Sequence, residues 1–553
     1  MIKKIIILTI VFFKFTIVNA QFVTPLEGDY LNYTDIIFEV DQIDEANNYL
    51  FTFYECNKRG ENCKEIKNVK SKIRAIKVFS FFNFNKTYKW NFIAFKNKTE
   101  IYKSRSITFQ TGNSPLLDSN IQKWEWTVKN KKRKNGILLI DGLKLALNMQ
   151  GKPVFYLNYN FDHTVRDINI TKQGTVTLVD NRLGEIKEVS LKGEMLWIGP
   201  EVGNRENMEG DKFHHEFEKL PNLNYIVAGK RKLENIETNF SFNNISNKTI
   251  CETIIEFDAE KNEVWRFNLL PELKRQFNIA PTSQMFNPDR LGHLNGLAID
   301  DKKNIIYASF KTFSSVFKID KETNNILYMF GNKTINFNDS TQSTAAFQQQ
   351  HCPNLLPNGN LMVLNNGTEK TGSGIVELNN KPNLDSTNEV VKSIYFKSIL
   401  KKDFYTAQMG SVQYIDKKNV LVGLGNATHL FELNTKKRKI NWQIYTFQNI
   451  KFNENGKVWK PLISYRVYYY TSLFPYYFIV NKLNNGLEIV NIGSEKESFI
   501  ISFFDKEGNI QTTNNVEALK PNKKIYLKNS NNFSKVMIKE INSKKTIEIL
   551  FSE

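Results

Sequence analysis

One hairpin pattern recurs along the middle of this chain and limits the folds open to it more than any other feature. Each copy has an apolar-alternating strand, a turn rich in Asp, Asn, Lys and Gly, and a second strand that is often aromatic. The six copies begin at Leu143, Glu185, Thr253, Ser315, Gly374 and His429. Their period of roughly 40 to 70 residues, without helical periodicity between them, is typical of four-stranded sheets stacked around an axis. We therefore predict an all-β fold with a six-bladed β-propeller over residues 121–475.

A second repeat supplies the other strand pair of each blade and aligns almost without gaps. In each copy a polar turn begins about six or seven residues after the first position. That first position is occupied in five copies by Arg166, His215, His293, His351 and Met409. Because the innermost strand of a blade starts at the central channel, these five side chains are predicted to converge at one mouth of that channel.

Histidine is rare in the chain, which has six, and three of them share the first position. Three imidazoles in register are better explained by a site than by three separate structural histidines. An imidazole titrates near neutral pH, which suits nucleophilic and acid–base chemistry. His214 alternates away from His215 along the strand, and we expect it to orient its neighbour. His163 and His429 fall outside the frame, and a structural role is expected for both.

Shorter alternating segments flank the propeller on both sides. Residues 1–20 combine Lys3-Lys4, an apolar run and a small residue at Ala20, which is the pattern of a cleaved signal peptide. We therefore expect an exported protein, periplasmic or secreted. Residues 21–112 contain alternating runs typical of an immunoglobulin- or fibronectin-like β-sandwich, and residues 476–553 predict a small C-terminal β domain.

The four cysteines fall into two groups. Cys56 and Cys63 flank a hairpin-like turn, and export permits oxidation, so we expect a local disulfide between them. Cys251 and Cys352 have no obvious partner, and their pairing stays open.

The formal net charge of +18 is spread along the chain rather than gathered on one helix or stripe. This distribution argues against a nucleic-acid partner and is compatible with small anionic substrates. After the first twenty residues, no stretch is long and apolar enough to predict a membrane span.

Four segments of the chain resemble the bacterial arylsulfate sulfotransferase family. They are QQHCPNLLPNGN around His351, GHLNGLAID around His293, HHEFEKLPN around His215 and SYRVYYY around Arg466. The resemblance covers residues 121–475 and implies PAPS-independent transfer of a sulfuryl group from a phenolic sulfate ester to a phenol acceptor, without a cofactor. It identifies His351 with the family's nucleophile, which carries the group as sulfohistidine. It identifies His293 and His215 with the supporting histidines, either of which is expected to protonate the leaving oxygen.

One position departs from the family pattern. Ser309-Phe310-Lys311 stands where the family has Ser-x-Arg, so Lys311 keeps the positive charge without the bidentate fork of an arginine. Together with Arg166, it is predicted to offset the charge on the sulfuryl oxygens. The predicted site residues are His351, His293, His215 and Lys311 as catalytic groups, and Arg166, Asn295 and Arg466 as substrate-binding groups.

Two other functions stay open from the sequence. A propeller can be a non-catalytic ligand- or surface-binding platform, with the histidines as hydrogen-bond donors. Three histidines can also hold a transition metal in a hydrolase or lyase, but no carboxylate recurs beside them in the frame, and we predict no metal. The N-terminal domain is similar, by position and pattern, to the one through which such sulfotransferases dimerise, so a homodimer is expected.

Overall fold

In the computed structural model the described residues are 23–113, 124–129, 135–159, 164–201, 210–234, 248–278, 292–333, 347–381, 389–400, 405–426, 429–451, 457–461, 464–483, 486–528 and 533–551. The predicted signal peptide and His163 lie outside these ranges, so export and the role of His163 stay predictions. No helix among the described residues is long and apolar enough to cross a membrane.

The described part of the chain divides into two compact units, the first of which comprises residues 23–29, Ile37–Val78 and Thr87–Phe109. The strands of the N-terminal region are β1 (Val23–Thr24), β2 (Asp29–Leu31), β3 (Ile36–Val40), β4 (Asn48–Cys56), β5 (Lys64–Ser71), β6 (Ala75–Val78), β7 (Lys86–Lys96), β8 (Thr99–Lys103) and β9 (Ile107–Thr111). β4 pairs with β5 and β7, whereas β3 lies between β1 and β6 in another sheet.

Aromatic packing joins these two sheets into a sandwich. The ring of Phe38 on β3 meets Phe53 on β4 and Trp90 on β7 edge to face, with centroids 4.7 and 5.0 Å apart. The expected disulfide between Cys56 and Cys63 is present, which confirms that prediction. The immunoglobulin- or fibronectin-like assignment, the domain boundaries and the homodimer stay predictions.

The second unit contains the repeated hairpins. Its strands from Trp124 to Tyr470 are β10 (Trp124–Lys129), β11 (Ile137–Ile140), β12 (Leu145–Asn148), β13 (Pro153–Tyr156), β14 (Val165–Ile170), β15 (Val176–Asp180), β16 (Glu185–Val189), β17 (Met195–Ile198), β18 (Lys212–Lys219), β19 (Tyr225–Glu234), β20 (Lys248–Phe257), β21 (Glu263–Asn268), β22 (Leu294–Asp300), β23 (Ile305–Phe310), β24 (Ser315–Asp320), β25 (Ile326–Gly331), β26 (His351–Leu355), β27 (Leu361–Asn365), β28 (Gly374–Leu378), β29 (Val390–Tyr395), β30 (Ser411–Asp416), β31 (Asn419–Leu424), β32 (His429–Asn434), β33 (Lys439–Lys451), β34 (Lys457–Pro461) and β35 (Val467–Tyr470).

Within the described ranges these strands form six antiparallel sheets, which we call blades 1 to 6. From the innermost strand outward, they are β14-β15-β16-β17, β18-β19-β20-β21, β22-β23-β24-β25, β26-β27-β28-β29, β30-β31-β32-β33 and β35-β11-β12-β13. β10 and β34 both pair with β33 and so extend blade 5. Blade 6 is built from both ends of the region, because β35 pairs with β11.

Hydrophobic clusters between neighbouring blades hold this arrangement together. In the part of the chain that the structure describes, one cluster lies between each successive pair of blades, and another lies between blades 6 and 1. Between blades 1 and 2, for example, Trp197 stacks on Tyr225 with ring centroids 3.9 Å apart. The predicted all-β propeller architecture is therefore confirmed, while the blade number of the whole chain stays a prediction.

Burial on both faces explains why the second strand of a blade departs from simple alternation. β23 reads IIYASF, and all six of its residues are buried because blades 2 and 4 cover its two faces. The predicted turn at Asn358-Gly359 lies between β26 and β27, where Gly359 adopts φ +85° and its N–H donates to the carbonyl oxygen of Leu356.

The helices α1 (Leu269–Phe277) and α2 (Phe396–Leu400) follow the outer strands of blades 2 and 4. α1 buries Leu269, Leu270 and Leu273. Asn278, the residue after the helix, has a left-handed backbone that caps the last turn. Two 3₁₀ turns, Asp141–Leu143 and Lys311–Phe313, follow the second strands of blades 6 and 3, and each places a charged residue directly after its strand.

Two further sheets follow the propeller strands. Their strands are β36 (Phe478–Leu483), β37 (Gly486–Asn491), β38 (Glu497–Phe504), β39 (Ile510–Leu519), β40 (Lys524–Lys528), β41 (Lys535–Glu540) and β42 (Thr546–Leu550). The orders are β36-β37-β40 and β39-β38-β41-β42, and one hydrophobic cluster contains residues of both sheets.

Packing between blades generates a stability prediction. Phe317 is fully buried in the cluster between blades 2 and 3, so we expect Phe317→Ala to lower the free energy of unfolding by about 3–5 kcal/mol. Leu327 lies in the same blade but is 51% exposed, and Leu327→Ala should change stability little. Thermal unfolding of the two variants and the wild type measures the difference. Equal midpoints for Phe317→Ala and wild type would contradict the role assigned to this cluster.

Candidate active site

A shared backbone irregularity marks the start of the innermost strands. Left-handed backbone is found at Asp167 (φ 50°), His215 (63°), His293 (50°), Cys352 (53°) and Met409 (62°). In blades 1 to 4 the register with the second strand also shifts beside these residues. A β-bulge of this kind bends the strand and re-aims its side chains. Neighbouring members of the first-position frame are in contact across the blades: Arg166 contacts His215, and the ring of His215 lies beside that of His293.

His351 is the first residue of β26, and 2% of it is exposed. Its Nδ1 lies 2.8 Å from Oδ1 of Asn366 and 3.1 Å from the carbonyl oxygen of Gln349. The backbone N–H of Met409 donates to its Nε2 at 3.2 Å. Burial holds the pKa of His351 well below its usual range, and the positive charge of Arg466 lowers it further, so the ring is neutral near pH 7.

Asn366 determines which nitrogen of His351 carries the proton. Its Nδ2 donates to the carbonyl oxygens of Thr406 at 2.8 Å and Met409 at 3.0 Å, which fixes the orientation of the amide. Oδ1 therefore faces His351 and can only accept. Hence Nδ1 of His351 bears the proton, and Nε2 carries the lone pair that accepts from Met409.

His215 belongs to a second hydrogen-bonding chain. Its Nδ1 lies 2.5 Å from Nδ1 of His214, and Nε2 of His214 lies 3.0 Å from Oε2 of Glu252. At the other end of the chain, Nη1 of Arg166 lies 3.4 Å from Nε2 of His215. The contact between Nε2 of His214 and Oε2 of Glu252 has an ion-pair distance but not the angle of a hydrogen bond. A guanidinium can only donate, so Nε2 of His215 accepts from Arg166, and this contact fixes one assignment of the imidazole protons. It gives His214 its proton on Nε2 and His215 its proton on Nδ1, and leaves Nε2 of His215 unprotonated.

His293 and Lys311 complete the group. The ring of His293 is half-buried, and its centroid lies 5.2 Å from that of His215. Burial lowers the pKa of His293 to about 4, with a further contribution from the charge of Lys311. The backbone N–H of Lys311 donates to the carbonyl oxygen of His293 at 3.1 Å, which places the two residues side by side. The charge of Lys311 also lowers the pKa of His351, so one cation acts on both imidazoles.

Arg466 lies immediately before β35 and is fully buried. Its guanidinium donates to the carbonyl oxygens of Gly410 and Asn295, both at 2.6 Å, and to the carboxylate of Glu216. The ring of Tyr465 lies under it, with the guanidinium carbon 3.9 Å from the ring centroid. Burial raises the pKa of Glu216 to about 8, against the opposing effect of the Arg466 charge. Arg466 thus links several inner strands, and both of its terminal nitrogens are hydrogen-bonded to other groups of the protein.

Asn295 is also fully buried and bonded within the protein. Its Nδ2 donates to the carbonyl oxygen of Gln350 at 2.8 Å, and its Oδ1 accepts from the hydroxyl of Ser309 at 2.8 Å. Nε2 of Gln350 donates to the carbonyl oxygen of Ser315 at 2.9 Å. These contacts fix the residue before His351 against blade 3. Substrate binding by Asn295 and Arg466 stays a prediction, while the bonds in place give both a structural role.

The remaining sequence-based expectations concern residues away from these contacts. His429 is buried in blade 5, where it stacks on Tyr445 with centroids 4.3 Å apart, as a structural histidine does. Cys251 and Cys352 are free and buried. Among the residues described, no group of three or more His, Cys, Asp or Glu side chains has the geometry of a metal site.

Sequence reasoning missed three residues that contact the predicted site. Asn366 lies in Leu364–Gly367 (LNNG), shortly after the QQHCPNLLPNGN segment, but nothing in the sequence indicated its contact with His351. Glu216 follows His215 directly, and carries a carboxylate one residue beyond the frame. Glu252 offered no signal, because only the pairing of β19 with β20 brings it near His214.

Comparison with solved structures finds propeller-like proteins at low similarity. A catalytically inactive variant of virginiamycin B lyase from Staphylococcus aureus with quinupristin has 9% identity and a TM-score of 0.30, covering 67% of this chain and 96% of that one. A streptogramin B lyase has 11% identity and a TM-score of 0.32, with coverages of 62% and 96%. Similarity at this level carries no argument about activity.

Similarity by sequence is more specific. No curated protein is similar enough to match the chain. The family described as Arylsulfotransferase (ASST) matches residues 128–466, which is more than half of the chain and includes the frame from Arg166 to Met409 as well as Arg466. This match supports aryl sulfotransferase activity in general, and the chain belongs to the arylsulfotransferase family.

Proposed function

We propose that this protein is a PAPS-independent aryl sulfate sulfotransferase, which moves a sulfuryl group from a phenolic sulfate ester to a phenol acceptor through a sulfohistidine at His351. The observation that carries the proposal is the state of His351. Its ring is neutral, its Nδ1 proton is held by Asn366, and its Nε2 lone pair is available once the Met409 N–H turns away. A neutral imidazole in this form is a competent nucleophile.

The reaction divides into two displacements at sulfur. In the first, the Nε2 lone pair of His351 forms an N–S bond while the S–O bond to the aryl group breaks, and the aryl oxygen leaves as phenolate. In the second, the oxygen of the acceptor phenol attacks sulfur, the N–S bond breaks, and the lone pair returns to Nε2. The acceptor gives up its phenolic proton to a base. Dividing the transfer in this way replaces one difficult displacement with two easier ones.

Positive charge near the histidines offsets the charge that develops during transfer. Lys311 acts electrostatically on His293 and His351, and Arg166 contacts His215. Fixed cations beside a departing phenolate and the sulfuryl oxygens stabilise the transition state more than the ground state. Burial lowers the pKa of both His293 and His215, so both rings are neutral near pH 7 and have no imidazolium proton to give to the leaving oxygen. We therefore assign stabilisation of the leaving oxygen to the cations.

His215 is suited to act as the base for the acceptor. Its unprotonated Nε2 can take the phenolic proton, while its Nδ1 proton passes to His214. The Nε2 proton of His214 then passes to Glu252, whose Oε2 lies 3.0 Å away, once a small turn of the side chains aligns the two atoms. After these shifts both imidazoles are neutral and Glu252 is protonated. The chain therefore avoids a buried imidazolium, which burial disfavours at His215.

We also propose that the protein is exported into an oxidising compartment. The disulfide between Cys56 and Cys63 supports this proposal, because such bonds form and persist mainly outside the reducing cytosol.

The nucleophile is tested by single-turnover kinetics. With an aryl sulfate alone, we expect a burst of about one phenol per active site and a sulfuryl mass on the peptide that contains His351. His351→Asn should lose both the burst and the steady-state turnover.

His215→Asn serves as the matched control, since loss of the proposed base should slow transfer to the acceptor by about 10²–10⁴-fold without moving the label. A label on His293 would reassign the nucleophile within the same reaction class. Absence of burst, label and transfer with several aryl sulfates would favour the binding platform, and activity that depends on added zinc and is lost with a chelator would favour the metal enzyme.

The lysine at the family's arginine position gives a second prediction. An arginine can hold two sulfuryl oxygens, so Lys311→Arg should keep or raise the turnover of aryl sulfates. Lys311→Ala should lower turnover by roughly 10²-fold or more, as removal of an oxyanion donor does. Steady-state rates of the three proteins with one donor and one acceptor measure the effect. If Lys311→Ala turns over as fast as wild type, this residue has no part in the mechanism.

The chain behind His215 gives a third prediction. Glu252→Gln cannot accept a proton, so turnover with weakly acidic phenol acceptors should fall by about 10²-fold. Acceptors that are already ionised need no base and should be affected little. The donor burst with a good leaving group should also persist, which separates loss of proton transfer from misfolding. A uniform decrease across the acceptor series would contradict this role for Glu252.

A further inference from the structure

The carboxyl end of β27 lies beside His351. Asn365 is the last residue of β27, and Asn366 follows it. Both are buried, but their amides have different partners. Oδ1 of Asn365 accepts from the backbone N–H of Gln348 at 2.9 Å, whereas Asn366 contacts the imidazole itself. Asn366 therefore contacts His351, and Asn365 is a neighbouring buried asparagine that can serve as its control.

Asn366 acts on both nitrogens of His351. It accepts the Nδ1 proton directly, and through Nδ2 it holds the carbonyl oxygen of Met409, whose own N–H donates to Nε2. Nδ2 also bonds the carbonyl oxygen of Thr406, which anchors the segment before β30. A single side chain thus orients the ring and positions the backbone N–H that occupies Nε2 in this structure.

We propose that Asn366 is a positioning residue, which selects the Nδ1-protonated tautomer of His351 and places the Met409 N–H that donor binding must displace from Nε2. The proposal rests on the proposed function, since it assigns the tautomer that transfer through Nε2 requires. The hydrogen bond made by one ring nitrogen sets the protonation of the other, so loss of Asn366 removes the main constraint on the reactive atom. The carbonyl oxygen of Gln349 then remains as the second acceptor for Nδ1.

The charged and titratable groups that face His351 come from several elements. Arg466 precedes β35, Lys311 follows β23, and His293 precedes β22, and all three disfavour protonation of His351. The acid limb is the decrease of kcat/KM for the donor at low pH. Its midpoint should lie below the ordinary imidazole pKa of about 6.5, because protonation of Nε2 abolishes the nucleophile. A carboxylate in place of the amide would stabilise the imidazolium and move this limb to higher pH.

Tautomer state gives the first test, and it does not depend on activity. In the full-length protein labelled with ¹⁵N-histidine, the His351 resonances, assigned by their loss in His351→Asn, should show a protonated Nδ1 and an unprotonated Nε2. A protonated Nε2 in the wild type would overturn the proposal whatever the variants do. This readout also separates the proposal from the proposed function, since it holds or fails independently of sulfuryl transfer.

Kinetics with 4-nitrophenyl sulfate give the second test. Asn366→Ala should slow the burst by about 10- to 100-fold while the Kd of the donor changes little, because orientation rather than binding is lost. Asn366→Asp should shift the acid limb to higher pH. Asn365→Ala removes a buried amide that does not contact His351, and it should change neither the burst rate nor the limb. An unchanged burst in Asn366→Ala, or equal limbs in Asn366→Asp and wild type, would overturn the proposal.

Discussion

The antiparallel pairing of β35 with β11 is the interaction on which the rest of this structure depends. It joins Val467 to Ile140, residues from the two ends of the propeller region, and completes blade 6. Without it, the hydrophobic clusters between blades 5 and 6 and between blades 6 and 1 would lose one face. The same pairing carries Arg466 to the centre of the ring, where its guanidinium bonds Glu216, Asn295 and Gly410 from three other blades.

A buried guanidinium has a desolvation cost that its partners must offset. The carboxyl group of Glu216 accepts from the guanidinium, and the carbonyl oxygens of Asn295 and Gly410 accept further guanidinium protons. Asp141 binds the backbone N–H of Arg466 at 2.8 Å, and burial raises the pKa of Asp141 to about 6. The arrangement concentrates charge one residue beyond the histidine frame and leaves the imidazoles themselves neutral. The charge of Arg466 adds to burial in lowering the pKa of His351, and the proposed nucleophile chemistry requires the neutral ring that results, because a protonated ring has no lone pair to offer.

The two groups of histidines are held by different means, yet both present an unprotonated Nε2. An amide fixes His351, whereas His215 is fixed by a second imidazole, His214, which itself lies beside the carboxylate of Glu252. An uncharged amide favours the imidazolium less than a carboxylate would, and burial keeps the pKa of His351 low, which suits a group that attacks sulfur and must later leave it. A carboxylate favours uptake of a proton, which suits a group that accepts one from a phenol. The difference in partners therefore matches the difference in proposed roles.

The sequence by itself determined the all-β architecture, the repeated hairpins, the position shared by His215, His293 and His351, and the local disulfide. These features are local or periodic, since alternation, turn residues and register along one strand are written in neighbouring residues. Only the tertiary structure decided what surrounds each histidine. The contacts of His351 with Asn366 and Met409, of His214 with Glu252, and of Arg466 with Glu216 join residues from different parts of the chain, and two of the four join different blades. Such contacts depend on how the bulges aim each side chain and on which strands the closed ring brings together, and no pattern within a single segment records either.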